Sequence, residues 1–213
     1  MMKWVICAIV LACLSGCGIK EQVVRVSVPD VRANPQQGAL VQVNPVQDKR
    51  EASFLAQFPA ATRNKNVGGV VRGGNGVNVV LDHSTTTEKV HSIIVQALRN
   101  MGYHTVASCG APCTVVTPTL NTFAVTLPFN FWRAVSYSQH MLADVAVHVT
   151  LQNQGSTSSF DTKGHGSNVY QVVSQENWEI ALDRAVKDFA SNFQQQMSSH
   201  MDQAASGTSE TTE

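Results

Sequence analysis

Residues 143–155, ADVAVHVTLQNQG, hold the pattern from which the architecture follows. Ala143, Val145, Val147, Val149 and Leu151 alternate with Asp144, Ala146, His148, Thr150 and Gln152. A period of two belongs to an extended chain, whose successive side chains point to opposite faces. One face here is apolar and the other polar, so a strand covered on one side is expected. The turn-forming run NQGSTS leads from it into a further strand over 158–172. Upstream, CTVVTPTLNTFAVTL at 113–127 reads as the antiparallel neighbour, which makes a meander of three strands. Weaker signals place an early strand over 40–47 and a short one over 77–81.

Two segments carry the helical period instead. In TTTEKVHSIIVQALRNMGY, Thr85 and Glu88 have the spacing of a capping box. Val90, Ile93, Ile94, Ala97, Leu98 and Met101 follow at helical intervals, and Gly102 is placed to end the helix. In QENWEIALDRAVKDFASNFQQQM, Trp178, Ala181, Leu182, Ala185, Phe189 and Phe193 share one stripe. Asp183, Arg184, Lys187 and Asp188 lie largely opposite it. Strands punctuated by two such helices predict an α+β fold: a single domain, a mainly antiparallel sheet, and two amphipathic helices packed on one face.

The chain opens MMKWVICAIVLACLSGCGIK. Lys3 precedes an uncharged apolar run, Trp4 to Leu14, that is too short to span a bilayer but suits the core of a secretory signal. Leu14-Ser15-Gly16-Cys17 looks like the bacterial lipobox, which implies a diacylglyceryl group on the Cys17 thiol and a mature chain beginning there. Buried acyl methylenes contribute about 0.8 kcal/mol each, so the two or three fatty chains of such an anchor, palmitate for example, hold a protein on a membrane. An ordinary signal peptide with a chance cysteine is the alternative. By the sorting rule of enteric-type bacteria, in which an aspartate after the cysteine favours the inner membrane, Gly18 implies the outer membrane, and a lipid-anchored place on its periplasmic face is expected. The expected division is a signal peptide over 1–16, a tether over 17–38 with room for a short strand at 23–28, a periplasmic domain over 39–197, and a disordered tail over 198–213.

Fifteen basic and fifteen acidic residues give a formal net charge of zero, and charged residues make up 14% of the chain. No basic field is present to attract nucleic acid. Of five cysteines, Cys7 and Cys13 leave with the signal and Cys17 carries lipid. Cys109 and Cys113, in SCGAPCT, remain for an oxidising compartment, where a disulfide is favoured over a redox centre or half a zinc site. Redox catalysts usually space the pair by two residues, and no nearby His or Cys pair completes a metal site.

The order of these parts resembles the YajG-type family of small enterobacterial lipoproteins. The likeness rests on the lipobox at Cys17, VQVNPVQDKRE with its Asp48-x-Arg50 pattern, ALRNMGY, ADVAVHVTLQNQG, and the closing NWEIALDRAVKDF. FPAATRNKNVGGVVRGGNG and the CGAPC loop depart from it. The resemblance implies an envelope lipoprotein and supplies no catalytic residues.

Several stretches invite chemistry and are better explained without it. Gly68–Gly76, GGVVRGGNG, lacks the Lys-Ser/Thr ending of a phosphate loop and reads as a loop or hairpin. His91 and His148 read as surface residues. His165 and Ser167, in GHGSN, lack the Gly-x-Ser-x-Gly elbow of a hydrolase. Asp48 and Arg50 suit an ion pair at a strand end. In PFNFWRA, Phe129, Phe131 and Trp132 sit in a connection, where polar residues are usual. Either they fold back on the sheet edge or they form an apolar contact surface.

The function these residues predict is therefore not enzymatic and needs no cofactor or metal. It is an outer-membrane-anchored lipoprotein that binds protein partners in envelope assembly or maintenance. The alternative is an auxiliary lipoprotein that binds a lipid or other apolar ligand for a transporter, and an envelope hydrolase is a third, weaker reading.

Overall fold

In the computed structural model, the described residues are 19–30, 38–72, 75–110, 113–128, 139–153, 155–171 and 173–206. Their elements run β1 (Ile19–Val24), β2 (Leu40–Val43), β3 (Gln47–Asp48), α1 (Ala52–Leu55), β4 (Asn66–Arg72), β5 (Asn75–Leu81), α2 (Thr86–Asn100), β6 (His104–Val106), β7 (Thr114–Thr126), β8 (Gln139–Asn153), β9 (Ser156–Tyr170) and α3 (Gln175–Ser206).

The meander forms as the alternation predicts. β7, β8 and β9 are antiparallel, with Val145 opposite Phe123 on one side and Gly164 on the other. Val145, Val147 and Val149 are buried, as are Val116, Leu120, Phe123 and Val125 of β7. A bulge between Leu120 and Thr122 shifts the core-facing set of β7 from even to odd residues. Without that extra residue Phe123 would face solvent.

On its other side β7 meets three parallel neighbours in succession. β2 pairs with Val116 and the residues before it, β3 with Thr119 and Leu120, and β4 with Val125. The sheet therefore forks beyond β7. One branch ends in β6, parallel to β2; the other continues through β5, antiparallel to β4, to β1, parallel to β5. The antiparallel ladders are the long ones, but the early strands join in parallel, which period-two patterning does not report.

α2 begins with the expected capping box: Glu88 N–H donates to the Thr85 hydroxyl at 3.2 Å, and Thr85 N–H donates to the Glu88 carboxylate at 2.8 Å. Its buried stripe meets that of α3, where Gln194 donates a hydrogen bond to the Ala97 carbonyl. Both helices belong to one continuous core that reaches from Val24 to Met197.

The segments assigned to the tether and the tail both carry regular structure. Residues 19–30 are not a free tether: β1 pairs with β5 over its whole length, and Val24 and Val26 are buried in the core. Two buried valines and a full ladder of backbone bonds hold this segment in place. The polar tail expected from Ser198 is helical as far as Ser206, with Met201 packed against the core and the His200 ring stacked on Phe160 at 5.1 Å. An apolar residue one helical turn beyond Met197 is enough to carry the stripe onward.

Candidate functional site

Strand directions put one end of the molecule together. β1 starts at Ile19 opposite Gly76, and β4 turns into β5 between Arg72 and Asn75. β4 runs parallel to β7, so that turn lies at the end where β7 finishes. There Thr126 faces Leu142 at the start of β8, and Gln139 faces Tyr170 at the close of β9. α3 starts just beyond, and Trp178 in its first turns donates its indole N–H to Gln22 of β1 at 2.9 Å. The anchor candidate Cys17 and the aromatic candidates Phe129, Phe131 and Trp132 lie outside the described residues. Their points of attachment, Ile19, Pro128 and Gln139, all belong to this one end.

The same end carries three large apolar side chains in the open: Val169 (58% exposed), Val173 (45%) and Leu142 (38%). Leu142 pairs with Ser167 and His140 with Val169, so Leu142 and Val169 are diagonal neighbours on the outer face. Only the exposed half of the alternation could have flagged them, and it is dominated there by polar residues.

α3 occupies the opening of the curled sheet between its β1 and β9 edges and touches both strands. On one flank Arg184 donates to the Ser167 carbonyl, His165 N–H donates to Asp188 at 2.9 Å, and Asn192 donates to the Lys163 carbonyl at 2.8 Å. These three side chains satisfy outward-facing backbone groups of β9, whose ladder partner is β8 alone. On the other flank Arg25 N–H donates to Glu179, and Ser27 N–H donates to Asp183, each at 2.9 Å. The helix thus stands where a further strand would otherwise close the barrel.

This placement explains GHGSN. A Cβ built on Gly164 would lie 2.2 Å from the Ala185 carbonyl oxygen, and one on Gly166 would lie 2.1 Å from that of Ala181. The two glycines are a seat for the helix backbone. His165 between them points outward to Asp144, 2.5 Å away, and His148 pairs likewise with Asp161 at 2.9 Å. Both are cross-strand pairs on the solvent face of β8 and β9. His91 lines an open groove of about 380 Å³ between α2 and β6, together with Val95, Arg99 and Val106.

Arg50 fills the fork of the sheet. Its guanidinium is buried and donates to both Asp48 carboxylate oxygens, to the Asn66 carbonyl at the start of β4, and to the Arg63 carbonyl. Burial pushes the Asp48 pKa up, but the hydrogen bonds and charge of Arg50 outweigh it and hold the pKa below the ordinary value of 3.8. The Asp-x-Arg pattern is a rivet between the two branches. A cavity of about 170 Å³ beside it is lined by Glu51, Phe54 and the bulged part of β7.

The glycine cluster forms the β4–β5 hairpin. Gly68 and Gly69, at φ +110° and +128°, make the irregularity by which β4 leaves β5 to touch Val125. Cys109 and Cys113 are joined by a disulfide with Cα atoms 6.1 Å apart, and the Cys109 N–H donates to Gln42 of β2. Among the described residues, no group of three His, Cys, Asp or Glu could hold a metal ion, and no helix is long and apolar enough to cross a membrane.

No protein-family model matches the chain, and neither does any curated protein. Among solved structures, one uncharacterized protein aligns over 87% of this chain and 99% of its own, at 13% identity and a TM-score of 0.43. A Xanthomonas campestris protein of the DUF330 family aligns over 85% and 99%, at 10% identity and a TM-score of 0.46. The lipoprotein GNA1162 from Neisseria meningitidis aligns over 79% and 99%, at 11% identity and a TM-score of 0.24.

Proposed function

We propose that the protein is an outer-membrane lipoprotein, anchored through Cys17 on the periplasmic side, that works by binding a protein partner in envelope assembly or maintenance. The observation that carries this reading is the place of β1. Only Gly18 separates the lipobox-like cysteine from a strand that is built into the core. Two peptide steps reach at most about 7 Å, so an acyl group on Cys17 brings the folded domain itself to the membrane. The connection that carries Phe129, Phe131 and Trp132 leaves from that same end. A partner that meets it is one that presents itself at the membrane. With few charges available for steering, aromatic anchors supply the affinity.

The test has two parts. Cys17→Ala should release the protein from membranes after a high-salt wash; retention would defeat the lipoprotein reading. A photo-crosslinker in the 129–132 connection should give a discrete protein adduct in native membranes. Trp132→Ala should weaken that capture by about thirtyfold, or 2 kcal/mol, while leaving the melting temperature unchanged. Melting lowered by the equivalent of about 3 kcal/mol would assign Trp132 to the core. Lipid in place of protein as the sole adduct would defeat the protein-partner reading.

A further inference from the structure

We infer that Leu142, Val169 and Val173 form a membrane-seating rim: when Cys17 is acylated, this end of the domain rests in the interfacial layer of the bilayer. The inference depends on the anchor of the proposed function and adds an orientation to it.

Three facts converge on a lipid surface as the occupant. The span from Cys17 to Ile19 is too short to let the domain turn freely, so the end that holds Ile19 is the end that meets lipid. Val169, Val173 and Leu142 are exposed at that end. Val23 and Val28 belong to the same N-terminal strand region but lie further along the chain from the anchor, and Leu40 starts β2 at the opposite end with the disulfide loop. Three of the six large apolar side chains exposed among the described residues are thus gathered at the anchored end, where the cost of leaving them in water would be removed. The rim is also mechanically continuous with the rest of the fold. Val169 belongs to β9, Leu142 to β8, and Val173 to the link into α3, three elements tied together by the β8–β9 ladder and by the seating of α3 on Gly164 and Gly166. Contact at the rim therefore fixes the tilt of the whole sheet.

The experiment uses the acylated mature protein, Cys17 to Glu213, in vesicles of phosphatidylethanolamine and phosphatidylglycerol. With Cys109 and Cys113 oxidised and Cys17 acylated, an introduced thiol is the labelling site. An environment-sensitive fluorophore is placed on Val173→Cys at the rim or on Gln152→Cys at the far end of β8. The result expected is a blue shift and loss of emission to acyl-chain quenchers for the rim label, with no change for the far label. Val169→Asp, at an exposed position, should reduce the quenching at 173 without altering the melting temperature. Protein that floats with vesicles but shows equal quenching of both labels overturns the rim and leaves the anchor standing. Protein that fails to float overturns the anchor and the rim with it. If a crosslinker at Val173 in native membranes captures a discrete protein and no lipid, the surface belongs to a protein partner and the rim is rejected.

Discussion

Gly164 and Gly166 stand at alternate positions of β9 where a side chain would enter the backbone of α3. The obstructing atoms are main-chain atoms of Ala181, Ala185 and Phe189, which cannot swing aside. Gly166→Ala should therefore cost about 3 kcal/mol, the upper range for overpacking, measured by denaturant unfolding. Gly110→Ala, where a Cβ meets nothing within 4 Å, should change stability by less than about 0.5 kcal/mol. Equal effects would refute the seat. Arg50 makes a second local test. Arg50→Met removes the donors to Asp48, Asn66 and Arg63 and should cost about 3 kcal/mol. Because folding depresses the Asp48 pKa, its contribution is complete above the unfolded value and is lost as pH falls through the folded one. Stability of the parent should thus decline below about pH 4, and Arg50→Met should lack that part of the decline. Both residues were visible in the sequence as patterns. The sequence favoured an ion pair for Asp48 and Arg50 and no catalysis at GHGSN, but it could not say what either packs against, since that depends on what the fold lays beside it.

α3 shows what periodicity delivers and where it stops. Its apolar stripe, from Trp178 to Phe193, is buried throughout as expected. The polar side opposite does more than face water, since Arg184, Asp188 and Asn192 satisfy the open edge of β9. Replacing Asp188 and Asn192 by Ala should uncover an unpaired strand edge and increase self-association, followed by sedimentation velocity. A variant as monodisperse as the parent would show that the edge is protected by other means. Deleting residues 198–213 should cost about 1–3 kcal/mol, because Met201 and the His200 stack on Phe160 go with them. A deletion without effect would restore the earlier domain boundary at Met197. β7, β8, β9, α2 and α3 were legible because each carries its period over many residues. β1 was read only as a short strand placed too late, at 23–28, β4 only as one arm of a loop or hairpin, and β6 not at all. Each is short or glycine-bearing, and their parallel partners lie far away in the chain, so nothing local marks the pairing.

One core runs from Val24 in the first strand to Met197 in the last helix, so circular dichroism and fluorescence should report a single coincident unfolding transition. Two separated transitions would divide the domain. The seam between β1 and α3 has a further meaning in time. Arg25 and Glu179, which meet across it, are 154 residues apart in the chain. The first strand to be synthesised gains its last neighbours only when the last helix is present. Such high contact order slows folding, because long loops must close before the contacts that reward them can form. Truncation before Gln175 would leave the backbone groups at Arg25, Ser27 and His165 without their helix partners, so the truncated chain should be cut by protease faster than the parent.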